Sequence, residues 1–345
     1  MSRDPKQILS PSFSFVLAAV LALAAASAVL ATAQDSPSQQ TTSPTKPAST
    51  HRTAQALSHP QKTFSSPQQA AQALYDAAHN HDEDAMLAVL GPGARDIVIW
   101  TGDSAERNAQ DDVFAKKYEQ MHRLVKEPDN ETTLYVGAEN WPLPIPMLER
   151  NGAWYFDSNL GRKEIVYRRI GENEMDAISA LHGIMDAENQ YFAETSEYAQ
   201  HLNCSPGQRD GLFSPANGSN DDTNPLGPYI AAASYAGSDR TPFHGYYFLI
   251  LTEQGPDAHG GARNYIVNGK MTGGFAVVAF PAVYRSSGVK TFIVNQHGMI
   301  HEKDLGPKTT QIASAMKFYD PDSTWTRVRP DQFLSFNSTL LPAVR

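Results

Sequence analysis

"NEMDAISALHGIMDAENQYFAETSEYA", residues 173–199, decides how the second half of the chain is read. Ile178, Leu181, Met185 and Phe192 recur at helical spacing, helped by Ile184 and Tyr191, which predicts a long amphipathic helix. Glu188 falls within the apolar stripe. A carboxylate there needs a partner or an elevated pKa. The expectation is a structural buried charge, paired with Arg209 or Arg263. Residues 203–228 are dense in Gly, Pro, Asn and Asp and read as a long loop, and "YIAAASYA" (229–236) as a short helix. Strand signals come next, at 245–252, 273–284 and 289–304. One long helix and an antiparallel meander make 171–330 an α+β domain, followed by a C-terminal tail, 331–345.

Working back toward the N-terminus, residues 63–170 form a second α+β domain. Ser66 is placed to cap a helix with Pro67 at its first position. Asp82 caps another that Gly91 and Pro92 end. "DIVIW" (96–100) reads as a strand and residues 106–127 as a third helix, with Phe114, Tyr118, Met121 and Leu124 on one face. Strands are expected at 132–137, within 144–157 around an Asn151-Gly152 hairpin turn, and at 161–170. This order of elements resembles the NTF2-like (cystatin-like) domains, a helix-plus-curved-sheet fold. If that fold is present, Asp96, Trp100, Asp103, His122 and Tyr135 are placed to line its cavity.

The long helix with its meander resembles the globular part of pilins and pseudopilins. No Gly-Phe-Thr/Ser-apolar-Glu processing segment leads into the helix. Over about residues 61–330, "PGQRDGLF", "GYYFLILTEQGP", "GGARNYIVNGKMTGGFAVVAFPAVY" and "GVKTFIVNQHGMIHEKDLGP" closely resemble a bacterial family of exported proteins, domain of unknown function number 2950. That resemblance implies an exported protein and supplies no activity, so no catalytic residue is carried over.

Export is also legible in the residues. Arg3 and Lys6 precede an apolar run, 15–31, and then Ala31-Thr32-Ala33, which is the order of a cleavable signal peptide, 1–33. Residues 34–62 are rich in Ser, Thr, Gln and Pro and read as a disordered tether. No later stretch is long and apolar enough to span a bilayer. A net charge of −9 opposes nucleic-acid binding. The single cysteine, Cys204, forms no intrachain disulfide and no cysteine-based zinc cluster.

The motifs that suggest chemistry weaken on inspection. His297 and His301 are spaced i, i+4, as on a zincin helix, but Gly298 and the flanking apolar runs place them on a hairpin. "HNH" (79–81) reads as a helix end. "NGKMT" (268–272) lacks the Ser or Thr of a phosphate loop, and "NGSNDDTN" (217–224) lacks the spacing of a calcium loop. No metal and no cofactor is expected. The candidate binding residues are Arg209, Asp210, Lys270, Glu302 and Asp304. The reading is an exported envelope protein, periplasmic or extracellular, with an uncleaved N-terminal membrane anchor as the alternative. It acts as a non-catalytic binding or assembly module for an envelope protein or a small ligand. The alternative is a hydrolase or isomerase using the N-terminal cavity.

Overall fold

Local capping fixes the first elements of the computed structural model, which describes residues 61–99, 102–128, 130–214, 224–236 and 240–329. The Ser66 hydroxyl accepts from the Gln69 N–H at the start of α1 (Pro67–His79). Asp82 does the same for Ala85 in α2 (Glu83–Leu90), and Gly91 ends that helix at φ 74°. The expected signal peptide, tether residues up to 60 and the tail fall outside the described residues, as do Trp100 and most of 217–224. Gln61 and Lys62, read as the tether's end, are held: Gln61 Nε2 donates to Phe156 O at 2.6 Å, and Lys62 N to Ala88 O.

Two compact units divide after Glu164. In the first, the predicted strand at 96–100 is instead a short helix, α3 (Arg95–Val98), begun by bonds to Ala94 O. Ile97 and Val98 favour strands intrinsically, but here they pack on the core of α1 and α2, and packing outweighs propensity. The predicted helix 106–127 is also cut. α4 runs Ser104–Gln120, capped by Asp103, and Met121 turns extended at φ −166°. The chain then enters β1 (His122–Lys126), paired antiparallel along its whole length with β2 (Thr132–Val136). Leu124 therefore reaches the same core from a strand, which helical spacing could not distinguish. β3 (Trp141–Pro142), β4 (Met147–Arg150) and β5 (Ala153–Phe156) complete a sheet of order β1-β2-β4-β5, with β3 on β2. Asn151 (φ 54°) and Gly152 (φ 76°) make the two-residue turn between β4 and β5, where both positions need positive φ.

The stretch 161–170, read as a strand, is the start of α5 (Ser158–Thr195). Its Arg, Lys and Glu residues are good helix formers, and the Asp157 carboxylate accepts from the N–H groups of Asn159 and Leu160. Later in α5, Ala177, Ile178, Leu181, Ile184 and Ala187 are buried. Met185 is half-buried, and Phe192 leaves the stripe at 38% exposure, stacking on Tyr198.

In the second unit a short parallel pair, β6 (His201–Asn203) and β7 (Gly211–Phe213), precedes α6 (Pro228–Ala232). β8 (Tyr246–Leu251), β13 (Ala276–Pro281), β14 (Lys290–Asn295), β15 (His301–Asp304) and β17 (Thr326–Arg327) form the antiparallel meander, in order β17-β15-β14-β13-β8. Smaller strands flank it: β9 (Glu253–Gln254), β10 (Arg263–Asn264), β11 (Ile266–Val267), β12 (Lys270–Met271) and β16 (Phe318–Tyr319). All six residues of β13 are buried, so both faces of this strand are covered. α7 (Thr309–Ser314) comes after a 3-10 turn at Gly306–Lys308.

Candidate functional site

Glu188 is fully buried. Its Oε2 accepts from Ala199 N at 2.8 Å, where the chain folds back after α5, and Oε1 has no hydrogen-bond partner among the described residues. Among the described residues no arginine forms an ion pair with it. Arg263 Nη2 donates instead to Gln254 Oε1 and its guanidinium lies over Tyr265, while Arg209 offers its backbone oxygen to the Tyr191 hydroxyl. Burial pushes the Glu188 carboxyl up to about 8, opposed by the Ala199 N–H. Of the two ways such a carboxylate is accommodated, a charged partner or an elevated pKa, this setting favours the second among the described residues. An acid without a cation keeps its proton because a lone ion in apolar surroundings is costly.

The five candidate binding residues fall into three neighbourhoods: Arg209 with Asp210 on one loop, Lys270 on β12, and Glu302 with Asp304 on β15. Asp210 accepts from the N–H and hydroxyl of Ser205 (2.7 and 2.6 Å). Although burial opposes it, these bonds lower the Asp210 carboxyl below its ordinary range. Arg209 precedes it on the same loop, and Cys204 Sγ donates to Gly211 O. Lys270 pairs with Glu197 at 3.3 Å, Glu302 with Lys290 at 3.3 Å. Asp304 accepts from Gly306 N and the Tyr284 hydroxyl.

The i, i+4 histidines are on a hairpin. His297 comes after β14 in the turn closed by Gly298 N donating to Asn295 O, and His301 begins β15. His301 Nδ1 lies 3.3 Å from the Tyr319 hydroxyl, and burial lowers the imidazole's affinity for a proton. His297 instead neighbours Gln296 and His259. Among the described residues no three His, Cys, Asp or Glu side chains group as metal ligands.

The residues expected to line a cavity in the first unit also diverge. Asp96 faces Arg162 at 3.8 Å, Asp103 caps α4, and His122 stacks on Tyr118 at 3.9 Å. Tyr135 lies under Arg123 and donates to Glu127.

The best-organised titratable group was not read from the sequence. His244 Nδ1 lies 2.6 Å from Asp176 Oδ2, and Glu172 is one helical turn from Asp176 on α5. His244 sits at φ 45°, followed by Gly245 at φ 72°. The Asp176 bond raises the imidazole above its ordinary value; burial raises Glu172, with Asp176 adding to the effect. Beside it, Glu174 Oε1 accepts from both Val289 N and Lys290 N at 2.9 Å. In the first unit, burial pushes Asp111 up to about 6, with His81, Asp112, Arg107 and Glu83 around it. The acidic residues at 172 and 176 on one helical face were a usable signal. Their partner, 68 residues beyond Asp176, was not.

The meander, the long helix and the first unit's helices and hairpins define a two-unit α+β protein. The chain matches the family described as "Protein of unknown function (DUF2950)" over residues 61–328, and it belongs to that family. No curated protein and no solved structure matches it. Among the described residues no helix is long and apolar enough to cross a membrane.

Proposed function

We propose that this is an exported envelope protein acting as a non-catalytic binding module. In this reading an NTF2-like unit is followed by a pilin-like one. The observation that carries it is the divergence of Asp96, Asp103, His122 and Tyr135, each engaged with a different neighbour. A hydrolase or isomerase in that unit needs an acid–base pair facing one enclosed substrate. The Asp–His pair this unit does hold, His81–Asp112 at 2.8 Å, is mostly exposed on the Asp side. Export rests on the n-region, the apolar run and Ala31-Thr32-Ala33.

Two measurements test the reading. N-terminal sequencing of the protein from its native host should begin at Gln34, and an intact Met1 on most of it would defeat cleavage. The purified chain should turn over no p-nitrophenyl ester, phosphate or glycoside. Turnover that is lost on changing Asp96 or His122 would establish the enzyme instead.

A further inference from the structure

His244 and Gly245 form the tip of a two-residue hairpin. Phe243 N donates to Tyr246 O and Tyr246 N to Phe243 O, each at 2.9 Å, and the tip residues have φ of 45° and 72°. A tip with positive φ at both positions favours Asn followed by Gly. The chain uses that pair at Asn151-Gly152 and Asn268-Gly269, both also at positive φ. At 244 it places a histidine instead, so turn chemistry alone does not account for the residue.

Its side chain supplies the reason. His244 Nδ1 crosses from the turn to α5 and meets Asp176 Oδ2 at 2.6 Å. The tip is held closely there. A Cβ on Gly245 would come within 2.6 Å of Ser287 Cβ and 2.9 Å of Asn173 Nδ2, and Gly245 O accepts from Ala282 N. Asn173, buried on α5, donates to Ser287 O at 2.8 Å. The charges that act on the imidazole are Asp176 and Glu172, both from α5, and Arg168 acts in turn on Glu172. The other charged groups nearby are engaged elsewhere: Arg169 with the Ser286 hydroxyl, Glu174 with Val289 N and Lys290 N, Lys290 with Glu302, Arg285 over Tyr284 and Arg240 over Tyr235. Of all these groups, the imidazole is the one whose ordinary titration lies near neutral pH.

We propose that His244 is a pH-operated latch: protonated, it pins the Phe243–Tyr246 turn to α5, and on losing its proton it lets the turn lift from the helix. The latch goes beyond the binding-module reading and does not depend on it. With the proton in place the contact is an ion pair with a short, charge-assisted hydrogen bond. Without it, Asp176 keeps at most a bond to a neutral ring. The Asp176 and Glu172 carboxylates then repel across one helical turn with no imidazolium to offset them. Asp176 raises the imidazole above its ordinary 6.5, so the latch holds in full below that value and is released as pH rises through the raised one.

The test is amide hydrogen exchange of the full chain from about pH 5 to about pH 9, corrected for the intrinsic rate and read at Phe243, Tyr246 and Ala282. Val278 in the buried strand β13 is the reference, because the titration of Glu188 lowers global protection in wild type and in these variants alike. Relative to Val278, protection at the three amides should fall about five-fold as pH rises, the upper range for a half-exposed pair. The midpoint of that fall should coincide with the NMR titration of the His244 ring. His244→Asn restores the Asn-Gly pair the turn prefers and removes the titrating group, so its three amides should keep a constant ratio to Val278. Asp176→Asn should do the same. A constant ratio in wild type, an equal fall in His244→Asn, or a midpoint away from that of the ring would overturn the latch. If a variant fails to fold, the wild-type ratio and its midpoint decide alone.

Discussion

The strands β13 and β1 show how differently the two units use a sheet. Every residue of Ala276–Pro281 is buried, with β8 on one side and β14 on the other. No residue of His122–Lys126 is fully buried, and one side of that strand has no described partner strand. A strand covered on both faces and both edges contributes packing and little else. One at an open edge contributes less packing but keeps main-chain groups available for contact. Stability should therefore concentrate in the meander.

The largest expected effect tests that contrast directly. Phe280→Ala empties a fully buried site in β13 and should cost about 3–5 kcal/mol, whereas Leu124→Ala in β1 should cost less than about 1.5 kcal/mol. Urea unfolding of the two variants of the full chain decides, and similar losses would erase the distinction between the strands.

Next in size is the buried acid of the second unit. The Glu188 carboxyl titrates near 4.5 when unfolded and near 8 when folded. Between those values the unfolded chain has released the proton and the folded chain retains it. The stability this group contributes is present below pH 4.5, declines as pH rises and is gone above about 8. Glu188→Gln has no such decline. It should match wild type within about 1 kcal/mol at pH 4 and gain on it by up to about 1.4 kcal/mol per pH unit thereafter. Parallel stability curves for the two chains would mean that Glu188 has a cation the structure does not place there.

A smaller effect compares like with like. Each unit holds an Asn-Gly turn with both residues at positive φ, Asn151-Gly152 in the first and Asn268-Gly269 in the second. A Cβ at either glycine meets nothing within 4 Å, so only backbone strain is at stake. Gly152→Ala and Gly269→Ala should each cost about 1 kcal/mol, and a larger loss at one turn would show that it couples to the packing around it.

The smallest effect is spectroscopic. NMR titration should find the His244 imidazole losing its proton above the ordinary 6.5, because Asp176 accepts from it. Its link to α5 is then present at low pH and weakens as pH rises through that raised value. Asp176→Asn should return the titration toward 6.5, and an unchanged His244 would show the contact to be incidental.

What the sequence alone determined was local. Ser66 and Asp82 cap their helices because a short polar side chain reaches an N–H three residues on. Asn-Gly forces a tight turn, and the runs at 245–252, 273–284 and 289–304 are apolar enough to be strands wherever they pack. The identity of α3 and the break of α4 into β1 were decided by tertiary structure, whereas the first turns of α5 follow from helix-forming residues and the Asp157 cap, a local signal that the strand reading passed over. In the first two, a segment of mixed propensity took the conformation its distant neighbours allowed. The same holds for chemistry. That Glu188 would be buried came from its place in an apolar stripe, but that its described polar contact is the Ala199 N–H, with Arg263 bonded to Gln254, was settled only by the fold. His244 meets Asp176, and β1 keeps an open edge, for a reason no local pattern contains: partners far apart in sequence meet, or fail to meet, only once the chain has folded.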